Sequence, residues 1–455
     1  MTEGSPAKRI MEFAIPMLLG NFAQQLYNTA DSIIVGKFVG DNALAAVGSA
    51  MPILNLLLAL FVGIATGAGI VVSQSFGARA REGLSKAVGN CIALSFLATA
   101  VIMIVGPLVT MPLLTLLGTP DSIIGWCAQY LNIYFIGIVG FFLYNMLSGV
   151  LRGLGDSVSA LGFLLLAAAL NVVLDLIFVQ KMGVAGVALA TVISQGISAV
   201  FCYWKLSRMG DIFDLGWKQM KLLPHVAGRI LKIGIPSGIT QAIMATAGMV
   251  VLNLTNAMGE TVIACNVIVM RVDGFAMLPN MTFGQAMSVY TGQNVGAGKY
   301  DRVHQGVKQG GIIAGSFSTA ITLVLLFLSP ILFGFFTDTP ELIDLATRMI
   351  RLMAVGYICI SATQVLGGVM RGAGDTVTPM WISIISTIII RVPTAYIAAY
   401  FTRSPEFPHG QPVALFGSLM FSWVMGMVIS VVIFSLGKWK KKMYGNRPEP
   451  IEINE

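Results

Sequence analysis

The chain has 455 residues, of which 56% are apolar and only 11% carry a charge. A soluble domain carries about 25% charged residues. A soluble fold with the composition of this chain would have to expose a large apolar area to water. The composition therefore excludes an ordinary soluble globule. It predicts an all-α polytopic membrane protein, whose helices satisfy their own backbone hydrogen bonds in lipid.

Twelve apolar segments follow one another along the chain, each long enough to cross a bilayer. We predict spans at residues 10–35, 44–75, 88–116, 124–150, 159–179, 184–207, 230–254, 262–290, 309–334, 343–369, 377–400 and 411–437. Candidate kinks lie at the prolines within the spans, namely Pro16, Pro52, Pro236, Pro279 and Pro393. No small-residue cleavage signal follows the first segment, so we expect a retained helix and not a signal peptide.

The formal net charge of +7 reflects the orientation of the chain and not nucleic-acid binding. Most of the 28 Lys and Arg residues fall in alternate connections, all on the same predicted side of the membrane. Basic connections face the cytoplasm in multi-pass proteins. We therefore expect both termini in the cytoplasm, with the basic residues against an anionic leaflet. The five cysteines lie singly in apolar stretches, so neither a disulfide framework nor a metal site is predicted.

An internal repeat organises the chain into two halves. The stretch Val-Leu-Arg-Gly-Leu-Gly-Asp-Ser-Val at 150–158 recurs as Val-Met-Arg-Gly-Ala-Gly-Asp-Thr-Val at 369–377, an offset of 219 residues. Two six-span halves of the same orientation imply a pseudo-two-fold axis along the membrane normal. We predict an N-terminal lobe at 1–208, a cytoplasmic linker at 209–228, a C-terminal lobe at 229–437 and a basic cytoplasmic tail at 438–455.

Two carboxylates lie within the predicted spans of the first half, where a charge is costly and usually functional. Asp31 belongs to the first span and Asp175 to the fifth. Asn171 lies four residues before Asp175, so the two side chains share one face of the helix. Carboxylate and amide oxygens together suit a proton or a small hard cation. A structural alternative for Asp31 is that it only reaches the membrane interface.

The second half lacks this set of oxygen ligands. Through the repeat, Asn171 and Asp175 fall on Ile390 and Thr394, and Asp31 falls on Val251. If ion coupling exists, it is therefore predicted to reside in the N-terminal lobe.

Other charged residues are weaker candidates. Arg271 and Asp273 in the eighth span are two residues apart and do not face each other, so each needs a partner or a wet cavity wall. Arg391 in the eleventh span is similar. The two Arg-Gly-x-Gly-Asp copies predict tight cytoplasmic turns, each with a local Arg–Asp ion pair, and a phosphate-binding role is the alternative. No Gly-x-x-x-x-Gly-Lys-Ser/Thr loop is present, which argues against ATP-driven pumping.

These motifs, in this order, resemble those of the multidrug and toxic compound extrusion (MATE) family over nearly the whole chain. The resemblance is carried by Ile-Pro-Met-Leu-Leu-Gly-Asn at 15–21, Tyr-Asn-Thr-Ala-Asp at 27–31, Gln-Ser-Phe-Gly-Ala at 74–78, the two Arg-Gly-x-Gly-Asp turns and Asn-Val-Val-Leu-Asp at 171–175. It implies a V-shaped fold of twelve helices in two six-helix bundles.

Within the family the chain is similar to the branch named for DNA-damage-inducible protein F (DinF-like). That similarity implies an ion-coupling site at Asp31, Asn171 and Asp175, with further polar contacts from Tyr27, Asn145 and Thr191. A sodium ion would be held by Asp31, Asn171, Asp175 and Thr191, and the bend of the first helix would lie at Pro16. Where the other main branch has acids in the seventh and tenth spans, this chain has Gln241 and Gln364. Arg271, Asp273, Arg391 and Gln241 are then candidates for the substrate cavity.

The resemblance implies a secondary transporter, not an enzyme, that exports organic cations or amphipathic drugs in exchange for H⁺ or Na⁺. The expected partners are a small-molecule substrate and the bilayer, with no cofactor and no nucleic acid, in a monomer of the cell (cytoplasmic, inner) membrane. The sequence leaves the choice between H⁺ and Na⁺ open.

Three alternatives differ in their requirements. A flippase for lipid-linked saccharides of the same superfamily would need a cavity richer in arginine. An intramembrane enzyme would need a nucleophile or metal-ligand set, yet all three histidines lie in connections. A passive channel would not need two repeated lobes around a central site.

Overall fold

The protein is described by a computed structural model that covers residues 1–216, 218–405 and 407–445. Every regular element in those ranges is a helix. The first half contains α1 (Pro6–Phe38), α2 (Asp41–Gly77), α3 (Arg81–Leu116), α4 (Asp121–Ile136), α5 (Val139–Leu154), α6 (Ser157–Met182) and α7 (Val184–Ser207). The second half contains α8 (Pro224–Ala257), α9 (Glu260–Gly296), α10 (Tyr300–Gly334), α11 (Pro340–Ala354), α12 (Gly356–Gly372), α13 (Val377–Ser383), a π-helix (Ile384–Arg391), α14 (Val392–Phe401), α15 (Val413–Ser435) and α16 (Lys438–Gly445).

The described helices confirm the predicted all-helical membrane fold. Nine continuous helical segments are long and apolar enough to cross a bilayer, and the bent pairs α4–α5 and α11–α12 bring the number to 11 if each pair is one span. The helix α1, 33 residues long, is the twelfth long element. It falls outside that composition-based set because its inner turns carry polar side chains such as Gln24, Asn28 and Asp31.

Two of the spans are sharply bent. The bend between α4 and α5 is 55° at Gly137–Ile138, and the bend between α11 and α12 is 43° at Val355. These positions are nearly equivalent in the repeat, and neither contains a proline. Pro16, Pro236 and Pro279 lie inside the continuous helices α1, α8 and α9. The repeat therefore preserves a break in the fourth and tenth spans that the proline pattern did not indicate.

The eleventh span is not a regular α-helix. Its middle eight residues, Ile384–Arg391, have π-helical hydrogen bonding, with α-helical turns on both sides. Such segments are rare and cluster at functional sites, because the wider turn changes which side chains share a face. The equivalent helix of the first half, α6, is α-helical throughout.

The described chain forms two compact units. Residues Ile15–Gly238 form the first-half unit, and Met1–Ala14 together with the described residues between 239 and 445 form the second-half unit. These boundaries differ from the predicted lobes at 1–208 and 229–437, because the first turns of α1 and of α8 each pack with the helices of the other half. Both boundaries fall within two residues of a proline, Pro16 in α1 and Pro236 in α8.

Equivalent hydrogen bonds in the two halves attach the start of α1 to the second-half unit and the start of α8 to the first-half unit. In the second-half unit, the backbone N–H of Ala7 donates to the Gln309 side chain over 2.8 Å. In the first-half unit, the backbone N–H of Leu223 donates to the Asn90 side chain over 2.7 Å. Asn90 and Gln309 are 219 residues apart, so they are equivalent positions of the repeat. Each satisfies a backbone donor at the exposed start of a helix.

The segment predicted as a linker is attached to the first-half unit by Arg81. Its guanidinium forms a 2.9 Å ion pair with Asp214, and the Asp214 backbone N–H donates to the Ser85 hydroxyl over 2.8 Å. The hydrogen bond from Arg81, followed by its charge, holds the pKa of the Asp214 carboxyl below its usual range.

The beginning of the predicted basic tail is the short helix α16. Trp439 is only 1% exposed, and its indole N–H donates to the Phe434 carbonyl over 3.0 Å. Lys442 forms a 2.7 Å ion pair with Asp375. Residues 446–455 of the predicted tail lie outside the described residues.

The prediction of a local Arg–Asp ion pair in each Arg-Gly-x-Gly-Asp turn is wrong. Asp156 instead caps α6, accepting from the Ser159 backbone N–H over 2.9 Å, and Asp375 accepts from the Thr378 hydroxyl over 2.7 Å. Each aspartate uses its oxygens on the helix start that follows it and on a lysine. In the described structure neither Arg152 nor Arg371 forms an ion pair with the aspartate of its own motif.

Candidate functional site

The helix α6 presents a stripe of buried residues along one face. The members recur every three or four residues and are Ser157, Ala160, Leu164, Ala167, Asn171, Asp175 and Val179. This spacing is that of one face of an α-helix, so the two polar members lie on the side that packs inside the first-half unit. Asn171 is 2% exposed and Asp175 is fully buried.

The helix α7 lies directly against this face. A Cβ atom at Gly186 would lie 2.6 Å from the Phe178 carbonyl oxygen, so only glycine allows this approach of α7 to α6. One turn further along α7, Thr191 meets Asn171. The Asn171 side-chain N–H donates to the Thr191 hydroxyl over 3.3 Å, and that hydroxyl donates to the Val187 carbonyl over 3.1 Å. This arrangement fixes the orientation of the Asn171 amide.

Asp31 of α1 completes the site from the other side. Its carboxyl group is close enough to that of Asp175 for the two to form a hydrogen bond when one of them carries a proton. Asp31 is half-buried, and its Oδ1 atom is shielded from solvent. The structure thus brings together the carboxylates of two helices that are far apart in sequence.

The site contains more hydrogen-bond acceptors than donors. Among the described residues, no donor reaches the buried oxygens Oδ1 of Asp31, Oδ1 of Asn171 or either carboxyl oxygen of Asp175. Buried oxygens without partners are costly and rare in native proteins. A small hard cation bound by the carboxylate and amide oxygens would satisfy them, and a proton shared between the carboxyl groups would satisfy one oxygen of each. No group of three or more His, Cys, Asp or Glu side chains suited to a metal ion is found in the described part of the chain.

Aromatic and amide side chains surround the pair. The hydroxyl of Tyr27, one turn before Asp31 on α1, lies near both carboxylates and near the Gln195 side chain. Tyr130 of α4 also lies close to Asp31 and Asp175 and is 3% exposed. The sequence analysis did not identify Tyr130 or Gln195. Gln195 follows Thr191 by four residues, and this spacing could have revealed it, whereas no pattern in α4 singles out Tyr130.

Asn145 occupies a different position. Its side-chain N–H donates to the Phe141 carbonyl of its own helix over 2.9 Å. No described contact joins it to the carboxylates. Asp31, Asn171, Asp175, Thr191 and Tyr27 therefore form the core of the site, and the role of Asn145 stays a prediction.

The second-half unit contains a different polar cluster. The Tyr357 hydroxyl donates a 2.6 Å hydrogen bond to Asp273, and Arg391 lies near the same carboxylate. Tyr357 is fully buried and stands at the start of α12, whereas Arg391 ends the π-helix. The Nε atom of Arg391 is buried and has no hydrogen-bond partner among the described residues. Asp273 and Arg391 thus share one cluster, organised by a tyrosine that the sequence analysis did not identify.

The remaining cavity candidates lie apart from this cluster. Arg271 and Gln241 are both exposed at the surface of the second-half unit. Neither has a described contact with Asp273, Tyr357 or Arg391. Their predicted role at a substrate cavity stays a prediction.

Comparisons with known proteins agree with the fold. A family model described as MatE matches residues 16–177 and 236–397, once in each half. The probable multidrug resistance protein YpnP of Bacillus subtilis is 29% identical over 447 residues, covering 96% of this chain and 97% of that protein. YoeA of the same organism, also a probable multidrug resistance protein, is 28% identical over 404 residues, 86% of each chain. The multidrug export protein MepA of Staphylococcus aureus is 25% identical over 390 residues, covering 82% of this chain and 84% of that protein.

Solved structures show the same architecture. A MOP superfamily transporter from Pyrococcus furiosus superimposes with a TM-score of 0.87 at 24% identity, covering 96% of this chain and 97% of that one. A crystal structure of a MATE in the straight conformation gives a TM-score of 0.86 at 25% identity, over 96% and 98% of the two chains. A crystal structure of a MATE in the bent conformation gives 0.86 at 24% identity, over 97% of each.

Proposed function

Because the chain belongs to the MatE family, we propose that it exports organic cations or other amphipathic compounds in exchange for H⁺ or Na⁺. It is a multi-pass membrane transporter and not an enzyme. The energy source, the coupling residues and the class of substrate are our proposal.

One observation carries the proposal. The first-half unit buries two carboxyl groups close to each other, with no described donor to their inner oxygens. Two adjacent carboxylates repel each other inside a low-dielectric interior, so at least one proton or one cation must accompany them. This site needs a bound proton or cation to be stable, and it lies within a transporter. It is therefore suited to coupling the entry of H⁺ or Na⁺ to the export of a substrate.

The proposed roles of the residues follow from their contacts. Asp31 and Asp175 bind the coupling ion, and Asn171, held by Thr191, adds a neutral carbonyl oxygen that Na⁺ would also accept. Tyr27 lies on the same helix as Asp31 and close to both carboxylates. The two ions differ in what they require, because H⁺ needs only the carboxyl pair whereas Na⁺ needs the additional oxygens.

Coupling requires that ion binding favours one conformation over another. We propose that α1 is the element that responds, because it carries Asp31 and contains Pro16 in its interior. A proline removes one backbone hydrogen bond and lets a helix bend. Similar MATE structures exist in straight and bent conformations. Binding a proton or cation at the carboxyl pair would replace the repulsion between Asp31 on α1 and Asp175 on α6 by an attraction, and losing it would restore the repulsion.

The substrate class and location rest on the relatives. Proteins described as multidrug resistance or multidrug export proteins align over most of this chain. We propose that this chain likewise acts in the cell membrane, as a monomer, with both termini in the cytoplasm as the basic connections favour.

The test is efflux of a fluorescent organic cation, ethidium, from proteoliposomes under separately imposed pH and Na⁺ gradients. An inwardly directed gradient of the coupling ion should accelerate efflux, and the other gradient should not. Asp175→Asn removes the charge and nearly preserves the shape, so we expect gradient-driven efflux to fall to the rate of protein-free liposomes. Correct folding of the variant is checked by its thermal unfolding in detergent.

Asp344→Asn is the matched control. Asp344 lies on α11, is exposed and pairs with Arg348 over 2.6 Å at the surface. This substitution should leave gradient-driven efflux unchanged. Full gradient-driven efflux by Asp175→Asn would refute the proposed coupling site, and efflux that ignores both gradients in the wild type would refute antiport.

A further inference from the structure

The second-half unit contains a cavity of about 80 Å³ beside the second Arg-Gly-x-Gly-Asp turn. A single water needs only about 10–15 Å³ of such space, so the cavity can hold a small molecule or part of a larger one. It lies among α8, α12, α13 with the π-helix, and α15. Arg371 is the charged residue in its wall.

Comparison of the two repeats shows why Arg371 is available there. In the first half, the Arg152 guanidinium donates to the Ser148 hydroxyl over 3.0 Å, one turn earlier on the same helix. The position equivalent to Ser148 in the second half is Gly367. Among the described residues no hydrogen bond or ion pair from the Arg371 guanidinium is found, and its neighbour Asp375 is bound to Thr378 and Lys442.

The cavity wall combines this cation with hydroxyl groups and apolar surface. Ser430 is 1% exposed, and its hydroxyl has no hydrogen-bond partner among the described residues. Ser386 and Thr387 come from the π-helix. Trp423, Ile360 and Met244 supply apolar area. Of the residues that the structure describes, no carboxylate lines the cavity.

We propose that this cavity binds the carboxylate or phosphate group of an amphipathic organic anion, with Arg371 as the residue that pairs with it. Arginine binds both groups with two parallel hydrogen bonds, and hydroxyl groups such as that of Ser430 can donate to the same oxygens. The apolar wall receives the body of the molecule. The site lies wholly within the second-half unit, so probe binding there can be measured separately from the proposed coupling site at Asp31 and Asp175.

Binding is measured by ¹⁹F NMR titration of the full-length protein in phosphatidylcholine nanodiscs, with 4-fluorobenzoate as the probe. The size-matched neutral probe is 4-fluorobenzyl alcohol and the cationic probe is 4-fluorobenzylammonium. The wild type should bind the carboxylate more tightly than either. Arg371→Gln should weaken carboxylate binding by about tenfold or more, because it removes a charge-assisted hydrogen bond.

A second variant tests the cause without removing the charge. A Cβ atom at Gly367 would lie 3.3 Å from Nη1 of Arg371, so the flexible end of the arginine must move by a few tenths of an ångström to admit a serine. Gly367→Ser should hold Arg371 as Ser148 holds Arg152, and should weaken binding of the carboxylate but not of the alcohol. Arg152→Gln, in the other repeat, should bind the probe as the wild type does.

The source of the anion is distinguished by adding phosphatidylglycerol to the nanodiscs. Loss of probe binding in anionic nanodiscs identifies a lipid headgroup as the occupant, and retained binding identifies a soluble anion; both support the proposal. Equal affinity of the wild type for carboxylate and alcohol would overturn it. So would wild-type binding of the carboxylate by folded Arg371→Gln and Gly367→Ser.

Discussion

The amide nitrogen of Asn171 lies 3.3 Å from the hydroxyl oxygen of Thr191, and this hydrogen bond joins α6 to α7 beside the acidic pair. The amide has a single carbonyl oxygen, and the bond to Thr191 turns that oxygen away from α7. The carbonyl oxygen is buried and has no described donor. Thr191 therefore orients the Asn171 carbonyl oxygen, which we propose as a ligand of the coupling ion, without contributing a charge.

The first prediction concerns this hydrogen bond. Thr191→Val keeps the shape of the side chain and removes the hydroxyl, so the Asn171 amide loses its partner and its fixed orientation. We expect a higher concentration of the coupling ion to be needed for half-maximal efflux, with a smaller change in the maximal rate. Thr191→Ser restores the hydroxyl and should restore the ion dependence. Identical ion dependence in Thr191→Val and wild type would show that the orientation of Asn171 has no part in coupling.

The second prediction concerns the cluster of the second-half unit. Tyr357→Phe removes the hydroxyl that donates a 2.6 Å hydrogen bond to Asp273. A buried acceptor deprived of its donor costs about 1–3 kcal/mol. Thermal or denaturant unfolding in detergent should therefore show a lower stability for Tyr357→Phe.

The control for this variant is Tyr400→Phe, since Tyr400 is 63% exposed. Its stability should match that of the wild type. An unchanged stability of Tyr357→Phe would mean that the hydrogen bond to Asp273 contributes nothing net. In that case Arg391 alone would be sufficient to satisfy the carboxylate.

The third prediction concerns the connection between the halves and its response to pH. Arg81 lowers the pKa of Asp214, so the folded protein favours the ionised carboxylate. The stabilisation is complete above the ordinary aspartate pKa of about 3.9 and disappears as the pH falls through the lowered value. Hydrogen–deuterium exchange across 209–223 should thus be slow near neutral pH, and after correction for intrinsic rates it should accelerate only in strong acid.

Asp214→Asn removes this pH response. Exchange in the connection should be faster than in the wild type at neutral pH by a modest amount, because exposed ion pairs stabilise weakly. The equivalent change at Asp211, whose carboxylate has no described ion pair, should have a smaller effect. A pH response that persists in Asp214→Asn would assign it to another group.

The sequence predicted the membrane class, the two repeated halves and the identity of the polar residues in the first and fifth spans. These features depend on composition, on helical spacing and on the cost of charge in lipid, all of which are local to the chain. The meeting of Asp31 with Asp175 and of Asn171 with Thr191 depends on helix packing, which the motif resemblance implied and the residue pattern alone did not. Tyr130 and Tyr357 were missed because a buried tyrosine in an apolar helix has no spacing that distinguishes a polar contact from packing.

The prediction of Arg–Asp ion pairs in the two turns was wrong for a related reason. The short spacing in the Arg-Gly-x-Gly-Asp turns suggested that the two charges would meet. In the structure the start of the following helix offers the aspartate backbone and hydroxyl donors, and a lysine from another helix completes them. Unpaired helix-start donors compete for a carboxylate as effectively as a nearby arginine.

The π-helix of the eleventh span makes the second-half unit sensitive to a change of helical bonding. Ser386 and Thr387 lie in this segment and line the Arg371 cavity, and Arg391 at its end lies near Asp273. Conversion of these turns to α-helical bonding would rotate the residues beyond them by roughly one residue's step, about 100° around the axis. The same change of bonding would therefore move the hydroxyl of Ser386 in the cavity wall and the guanidinium of Arg391 beside Asp273.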